Sequence, residues 1–114
     1  MSRAVEVRSY NLKPGSRGRF DYLMTQLALP MLARWQIDVI ACGPSTHDDE
    51  SYYLIRAYRD LAERQDSQDA FYGSDEWRQG PREEILAMIE SYTSIVLMLD
   101  EGAIAALRSS PGRT

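Results

Sequence analysis

The chain holds one cysteine, Cys42, and one histidine, His47. A lone thiol closes no intrachain disulfide, which suits a reducing compartment. No second histidine stands by to activate Cys42 or to serve a Ser-His-Asp triad. Apolar runs stay far short of the ~20 residues that a membrane helix needs. The first residues, Met-Ser-Arg-Ala-Val-Glu-Val, contain no apolar signal core. The expected location is therefore the cytoplasm, away from any membrane. Basic residues number 13, all but Lys13 are arginine, and they are scattered along a chain of formal net charge -4. A nucleic-acid binder carries a basic stripe that displaces counterions from phosphates, so no nucleic-acid partner is expected.

What is present is an ordinary globular balance, 44% hydrophobic and 26% charged over 114 residues, enough for one core. Residues 4–12 alternate, with Val5, Val7 and Ser9 on one face and Glu6, Arg8 and Tyr10 on the other, which predicts a strand. Lys13-Pro14-Gly15 ends it. Phe20, Leu23, Met24, Leu27, Ala28, Met31, Leu32 and Trp35 then recur at three- and four-residue steps, one apolar stripe along a helix. Pro30 inside that helix predicts a kink. Residues 37–42 and 51–58 read as a strand pair joined by the polar loop 43–49. Asp60 with Glu63 resembles a capping box, and the helix after it is polar, with only Leu61, Ala70 and Phe71 to bury. Ser74 opens a further helix that Gly80-Pro81 interrupts. Ile85, Leu86 and Ile89, with Tyr92 at the end, form the face of the next segment. Residues 93–99 are a nearly continuous apolar run, the signature of a strand buried on both sides. A domain over 1–100 is thus followed by a short tail, 101–114, with a helical turn over 102–107 and a frayed Ser-Ser-Pro-Gly-Arg-Thr end.

Strand, helix, strand, strand, helices, strand is a βαββαβ order. It builds an α+β fold with a four-stranded antiparallel sheet and its helices on one face. The other sheet face stays bare. The expected bare face holds Glu6, Arg8 and Tyr10 with Tyr52, Leu54, Arg56 and Tyr58. A surface that apolar is expected to pair with its copy in a homodimer. A one-residue change of register would exchange the two faces.

Val-Arg-Ser-Tyr-Asn-Leu-Lys-Pro-Gly (7–15), Leu-Pro-Met-Leu (29–32), Leu-Ile-Arg-Ala-Tyr (54–58), Leu-Ala-Glu-Arg (61–64) and Phe-Tyr-Gly-Ser-Asp-Glu-Trp-Arg-Gln-Gly-Pro-Arg (71–82) carry a further signal. In order and spacing they resemble the NIPSNAP family of the dimeric α+β barrel superfamily, over residues 5 to about 99. The resemblance implies a ferredoxin-like domain and a face-to-face dimer. Superfamily relatives include cofactor-independent monooxygenases, lactone isomerases and haem-degrading enzymes. Some eukaryotic NIPSNAP proteins are mitochondrial interaction partners. Haem-degrading relatives place a histidine on a helix, and the predicted helices here contain none.

The candidate site follows from side-chain chemistry. Arginine grips a carboxylate or enolate with two N–H groups, which singles out Arg8, Arg56 and Arg82. Tyr10, Tyr52, Tyr58 and Tyr92 offer hydroxyls as donors or weak acids. Trp77 sits in the most distinctive segment and suits a cavity wall. On this reading Tyr10, Arg56 and Tyr58 are the catalytic candidates, and Arg8, Tyr52, Trp77, Arg82 and Tyr92 hold the ligand. The ligand is a small aromatic or planar organic acid, handled without metal or cofactor by a monooxygenase- or isomerase-like chemistry. Arg8→Ala with Arg56→Ala would abolish binding without unfolding the chain. His47, beside Asp48, Asp49 and Glu50, reads as a solvated turn rather than a metal site, and Cys42 as a buried structural thiol. The competing reading is a non-catalytic interaction module with a filled core.

Overall fold

The computed structural model describes residues 1–108. Strands β1 (Ser2–Leu12), β2 (Asp38–Pro44), β3 (Ser51–Tyr58) and β4 (Ile89–Asp100) form one antiparallel sheet in the order β2-β3-β1-β4. β1 is central and pairs with β3 on one side and β4 on the other, so that Val7 faces both Ile55 and Ile95. The pair read over 37–42 and 51–58 is the β2–β3 hairpin.

The long apolar stripe is built as α1 (Arg17–Leu23), a π-helical turn over Met24–Ala28, and α2 (Leu29–Arg34). The irregularity predicted at Pro30 thus lies one turn upstream. Proline has no N–H and its ring crowds the carbonyl four residues back, here that of Gln26. The chain relieves this by widening, and the Leu29 N–H reaches the Met24 carbonyl five residues earlier. The wider turn moves Leu27 to the stripe's margin, where it is exposed, while Phe20, Leu23, Met24, Ala28, Met31 and Leu32 are buried. Trp35, at the helix end, is half-exposed and donates its Nε1–H to Glu76 at 2.9 Å.

α3 (Leu61–Tyr72) begins at Asp60, whose carboxylate accepts the Glu63 N–H at 2.8 Å. Glu63 reaches back to the Arg59 N–H at 2.6 Å, one residue before the cap. α4 (Asp75–Gln79) starts at Ser74, whose hydroxyl accepts the Trp77 N–H. α5 (Arg82–Ala87) follows Pro81. The predicted helical segment is shorter than expected at its end: β4 already begins at Ile89, and Tyr92 lies in the strand opposite Tyr10. Its edge position also corrects the expectation of a strand buried on both faces, since Ile95, Leu97 and Met98 are exposed. A continuous apolar run implies two covered faces in a parallel sheet; at the rim of an antiparallel one it does not.

The sheet faces are the reverse of the expectation. Tyr10, Tyr52, Leu54 and Tyr58 share a core with Phe20, Leu23, Phe71, Trp77 and Ile85, so their face, with Glu6, Arg8 and Arg56, lies under the helices. The physical reason is the partner surface: the helix layer brings Arg64 and Gln68 to Glu6 and the Tyr72 hydroxyl to both arginines, so these groups are hydrogen-bonded without pointing to water. The opposite face carries Val5, Val7, Ile55 and Ala57. One end of it is covered by α6 (Glu101–Arg108), whose Ile104 packs on Val5, Ile40 and Ala57. Salt bridges from Arg108 and Arg3 to Asp38 fasten α6's end to the β1–β2 corner. The predicted turn over 102–107 is this helix; the tail expected to fray, Ser-Ser-Pro-Gly-Arg-Thr, lies outside the described residues. Among the described residues no helix is long and apolar enough to cross a membrane.

Candidate ligand site between sheet and helices

Glu6 is fully buried in the middle of β1, and three arginines converge on it. Arg56 donates Nη2–H to Oε1 at 2.7 Å, and Arg8 and Arg64 each donate to Oε2 at 3.0 Å. Gln68 adds a bond to Oε1 at 2.7 Å and another to the Tyr58 hydroxyl at 3.2 Å. Strand alternation sets Glu6 and Arg8 on one face, and register sets Arg56 directly opposite Glu6. Arg64, Gln68 and Tyr72 stand four residues apart on α3, one helix stripe that descends onto the same point. This corrects the expected packing of α3. Its buried face is polar apart from Phe71, while Leu61 is 58% exposed and Ala70 is exposed.

Burial alone would push the Glu6 carboxyl up. The Arg56 and Arg8 charges, with hydrogen bonds from Arg64 and Ser94, reverse this and hold it at about 2. The unfolded-state value is near 4.5, so the unfolded chain takes up the proton first. The contribution of Glu6 to stability is therefore complete above that value and is lost as pH falls toward 2, about 3 kcal/mol in all. Urea unfolding measured across this window should lose that amount, and Glu6→Gln should remove the slope. An unchanged slope in the variant would show that other carboxylates carry it.

Three guanidiniums against one carboxylate leave the cluster with surplus positive charge. Arg8 brings that surplus to open space. Beyond its bond to Glu6 it donates to Ser94 Oγ at 3.0 Å and to the Tyr72 hydroxyl at 3.3 Å, and it lies 4.7 Å from the Tyr92 ring centroid. It lines a cavity of about 360 Å³ together with Tyr10, Gln68, Tyr72, Trp77, Arg82, Ile85 and Tyr92. Arg8, Tyr10 and Gln68 form the buried end; Arg82, Leu86 and Tyr92 are exposed and form the mouth. Trp77 stands edge-on to Tyr72, centroids 5.4 Å apart, and makes an aromatic wall. Burial, opposed only in part by the arginines, raises the Tyr10 hydroxyl to about 12, so it keeps its proton at neutral pH.

The structure gathers Arg8, Tyr10, Trp77, Arg82 and Tyr92 around one cavity and sets the other candidates apart. Arg56 lies behind Glu6 with no solvent exposure, its Nη1 donating to Tyr72 at 2.8 Å, and its buried Nε has no partner among the described residues. Arg56→Ala would strip a fully buried ion pair, so the double variant with Arg8→Ala would damage the fold as well as the site. Tyr58 is buried on Gln68, and burial raises its pKa. Tyr52 points to the far end of the sheet, donating to Asp21 at 2.6 Å, and burial pushes its pKa up as well. Tyr72, Gln68 and Arg64 were not among the sequence candidates. The signal that would have found them is their four-residue spacing opposite an alternating Glu6-Arg8.

Elsewhere, His47 is exposed in the β2–β3 loop beside Ser45 and Asp48, and Cys42 is buried near the Tyr52 hydroxyl. Among the described residues no three His, Cys, Asp or Glu side chains converge as metal ligands would. A larger hollow of about 720 Å³ borders β2, lined mainly by apolar side chains such as Leu29, Ile40 and Ile55. Among the described residues its one charged group, Arg108, is already paired with Asp38. Size alone does not make it the ligand site; the smaller cavity holds the unneutralised charge.

A family model described as NIPSNAP matches residues 5–101. In fold, the chain is similar to an uncharacterized NIPSNAP domain protein from Burkholderia xenovorans, with a TM-score of 0.76 and 18% identity over 86% of this chain and 95% of that one. A NIPSNAP family protein from Agrobacterium tumefaciens gives a TM-score of 0.80 and 15% identity, covering 90% of each chain. A putative antibiotic biosynthesis monooxygenase from Nitrosomonas europaea gives 0.63 and 12%, over 82% of this chain and 95% of that one, a likeness of fold alone. No curated protein matches the sequence. The family match takes in all of the sheet but the first residues of β1 and every helix that packs on the Glu6 side, and the chain belongs to the NIPSNAP family.

Proposed function

We propose that the protein is a homodimer in which each subunit binds a small planar or aromatic organic anion and stabilises its deprotonated form. The observation that carries this reading is the cluster in which Arg8, Arg56 and Arg64 share the single carboxylate of Glu6, with Arg8 exposed to the cavity of about 360 Å³. Ligand pockets begin at about 300 Å³, and apolar walls with a few converging polar groups are their usual make-up. Tyr72, Trp77 and Tyr92 supply flat apolar surface, and the surplus positive charge selects an anion. A carboxylate, enolate or phenolate placed beside Arg8 would balance the cluster. Stabilising a deprotonated substrate is what a cofactor-independent oxygenase or an isomerase requires of its protein. The open cavity favours this reading over an interaction module with a filled core.

The dimer rests on the sheet face that α1 to α5 leave uncovered, where Ile55, Val7 and Ile95 form a row across three strands. Face-to-face packing of two copies would cover Ile95 and Leu97, which are exposed in the single chain.

Native mass spectrometry of the purified protein tests both parts. The expected species is two chains with a small acidic adduct. Arg8→Ala should keep the dimer and weaken retention of the adduct at least about tenfold, the loss of one charged hydrogen-bonding group. Glu6 keeps Arg56 and Arg64 in that variant, so the fold should hold. An adduct that remains fully bound in Arg8→Ala would place the ligand elsewhere.

A further inference from the structure

We infer that Tyr72 is the site's hydrogen-bond donor to the ligand, and that the atom it meets is the oxyanion of a flat phenolate, enolate or carboxylate. The inference rests on the ligand reading above and names the group that would discriminate among ligands. The Tyr72 oxygen accepts from Arg56 at 2.8 Å and from Arg8 at 3.3 Å. Both donors are cationic, and together they occupy the acceptor positions of the phenol. Its own hydrogen is left over, and no residue among those described accepts it. Tyr72 is half-buried and lines the same cavity as Arg8. A hydroxyl that accepts from two cations is a stronger hydrogen-bond donor, because chained hydrogen bonds strengthen one another.

The ring is fixed as well as polarised. Phe71 and Trp77 meet it edge-on, with centroids at 5.0 and 5.4 Å. A ligand oxygen that takes the Tyr72 hydrogen also lies within the field of Arg8, so an O–H donor and a guanidinium converge on one atom. Such a pair favours an ionised oxygen over the protonated acid, which has a hydrogen of its own in the way. The aromatic side chains of Trp77 and Tyr92, which line the same cavity, suit a flat ligand.

The test uses 4-nitrophenol, whose anion absorbs in the visible and shifts to shorter wavelength when its oxygen accepts a strong hydrogen bond. The full-length protein should bind the anion with a blue-shifted spectrum and should prefer it over 4-nitroanisole. Tyr72→Phe keeps the ring contacts. It should weaken binding of the anion about 10- to 100-fold, leave binding of 4-nitroanisole within about twofold, and move the bound spectrum back to longer wavelength. Thermal melting of the same samples checks that the variant is folded. If Tyr72→Phe is poorly folded, 3-fluorotyrosine installed at position 72 keeps the acceptor and makes the O–H a better donor, and affinity for the anion should rise. Unchanged affinity and spectrum in Tyr72→Phe, with binding lost in Arg8→Ala, would overturn the role of Tyr72 and leave the site standing. A full-length protein that binds neither probe would overturn the site reading and this inference with it.

Discussion

Glu6→Gln is expected to lower the unfolding free energy by about 3–5 kcal/mol, the cost of stripping one partner from a buried ion pair. Glutamine keeps the volume and one carbonyl acceptor, so the change isolates charge. In the native chain Glu6 balances part of the charge on Arg8, Arg56 and Arg64, and it has no exposed surface. Without it three guanidiniums face one another across a buried contact, and Arg56, itself wholly buried, loses its one carboxylate. Domains of this size are stable by about 5–15 kcal/mol, so the loss takes a large share of the total. Arg64→Gln makes the contrast. Arg64 is partly exposed, and two arginines remain on Glu6, so the expected loss is about 1 kcal/mol. Chemical denaturation of the two variants beside the parent gives the answer. Equal losses, or a loss under 1 kcal/mol for Glu6→Gln, would mean that the cluster is hydrated and not the keystone its burial implies.

The same cluster explains where sequence reading stopped. Alternation over 4–12 and 51–58 correctly sorts residues into two faces, because side chains in a strand have period two whatever lies above them. It does not say which face is covered. Charge argues that Glu6, Arg8 and Arg56 look outward, and that argument fails here because Arg64, Gln68 and Tyr72 descend from α3 to meet them. A polar helix read for apolar residues offers Leu61, Ala70 and Phe71, of which only Phe71 is buried; read for hydrogen-bond partners it offers the stripe that descends on Glu6. The stripe of α1 and α2 was legible because apolar spacing and the helix period agree; Leu27 departs from it at the π turn that Pro30 demands, and Trp35 at the helix end is half-exposed. Arg8 and Arg82 were legible as candidates from side-chain chemistry and Trp77 from its distinctive segment, yet nothing in the sequence brings Arg8 to the cavity that Trp77 and Arg82 line. That follows from α4 and α5 packing over the sheet face that carries Arg8 and Tyr10, a tertiary fact. Tyr72 was hidden for a related reason, since its value lies in two donors that only the fold delivers.

Ile95→Asp is expected to convert the proposed dimer to a monomer over the micromolar range. Ile95 is 59% exposed on the outer face of β4, so an aspartate there meets water in the single chain and should leave its fold nearly unchanged. In the dimer the situation differs. Val7 lies between Ile55 and Ile95, and a two-fold interface brings the same row from each copy into one contact. Every substitution therefore counts twice, and two carboxylates enter a dry apolar seam with no cation from the row to meet them. Like charges so placed cost several kcal/mol, which weakens association by a factor of about 1,000 or more. Tyr22→Asp serves as the control, because Tyr22 is 54% exposed on α1, across the sheet from this row. Sedimentation equilibrium of the parent and both variants reads the result directly. A parent dimer, a monomeric Ile95→Asp and a dimeric Tyr22→Asp support pairing through this face. A dimeric Ile95→Asp with the parent's dissociation constant would move the interface elsewhere. The long apolar rim of β4 would then need another explanation, since an exposed edge of that kind is what folded proteins usually avoid.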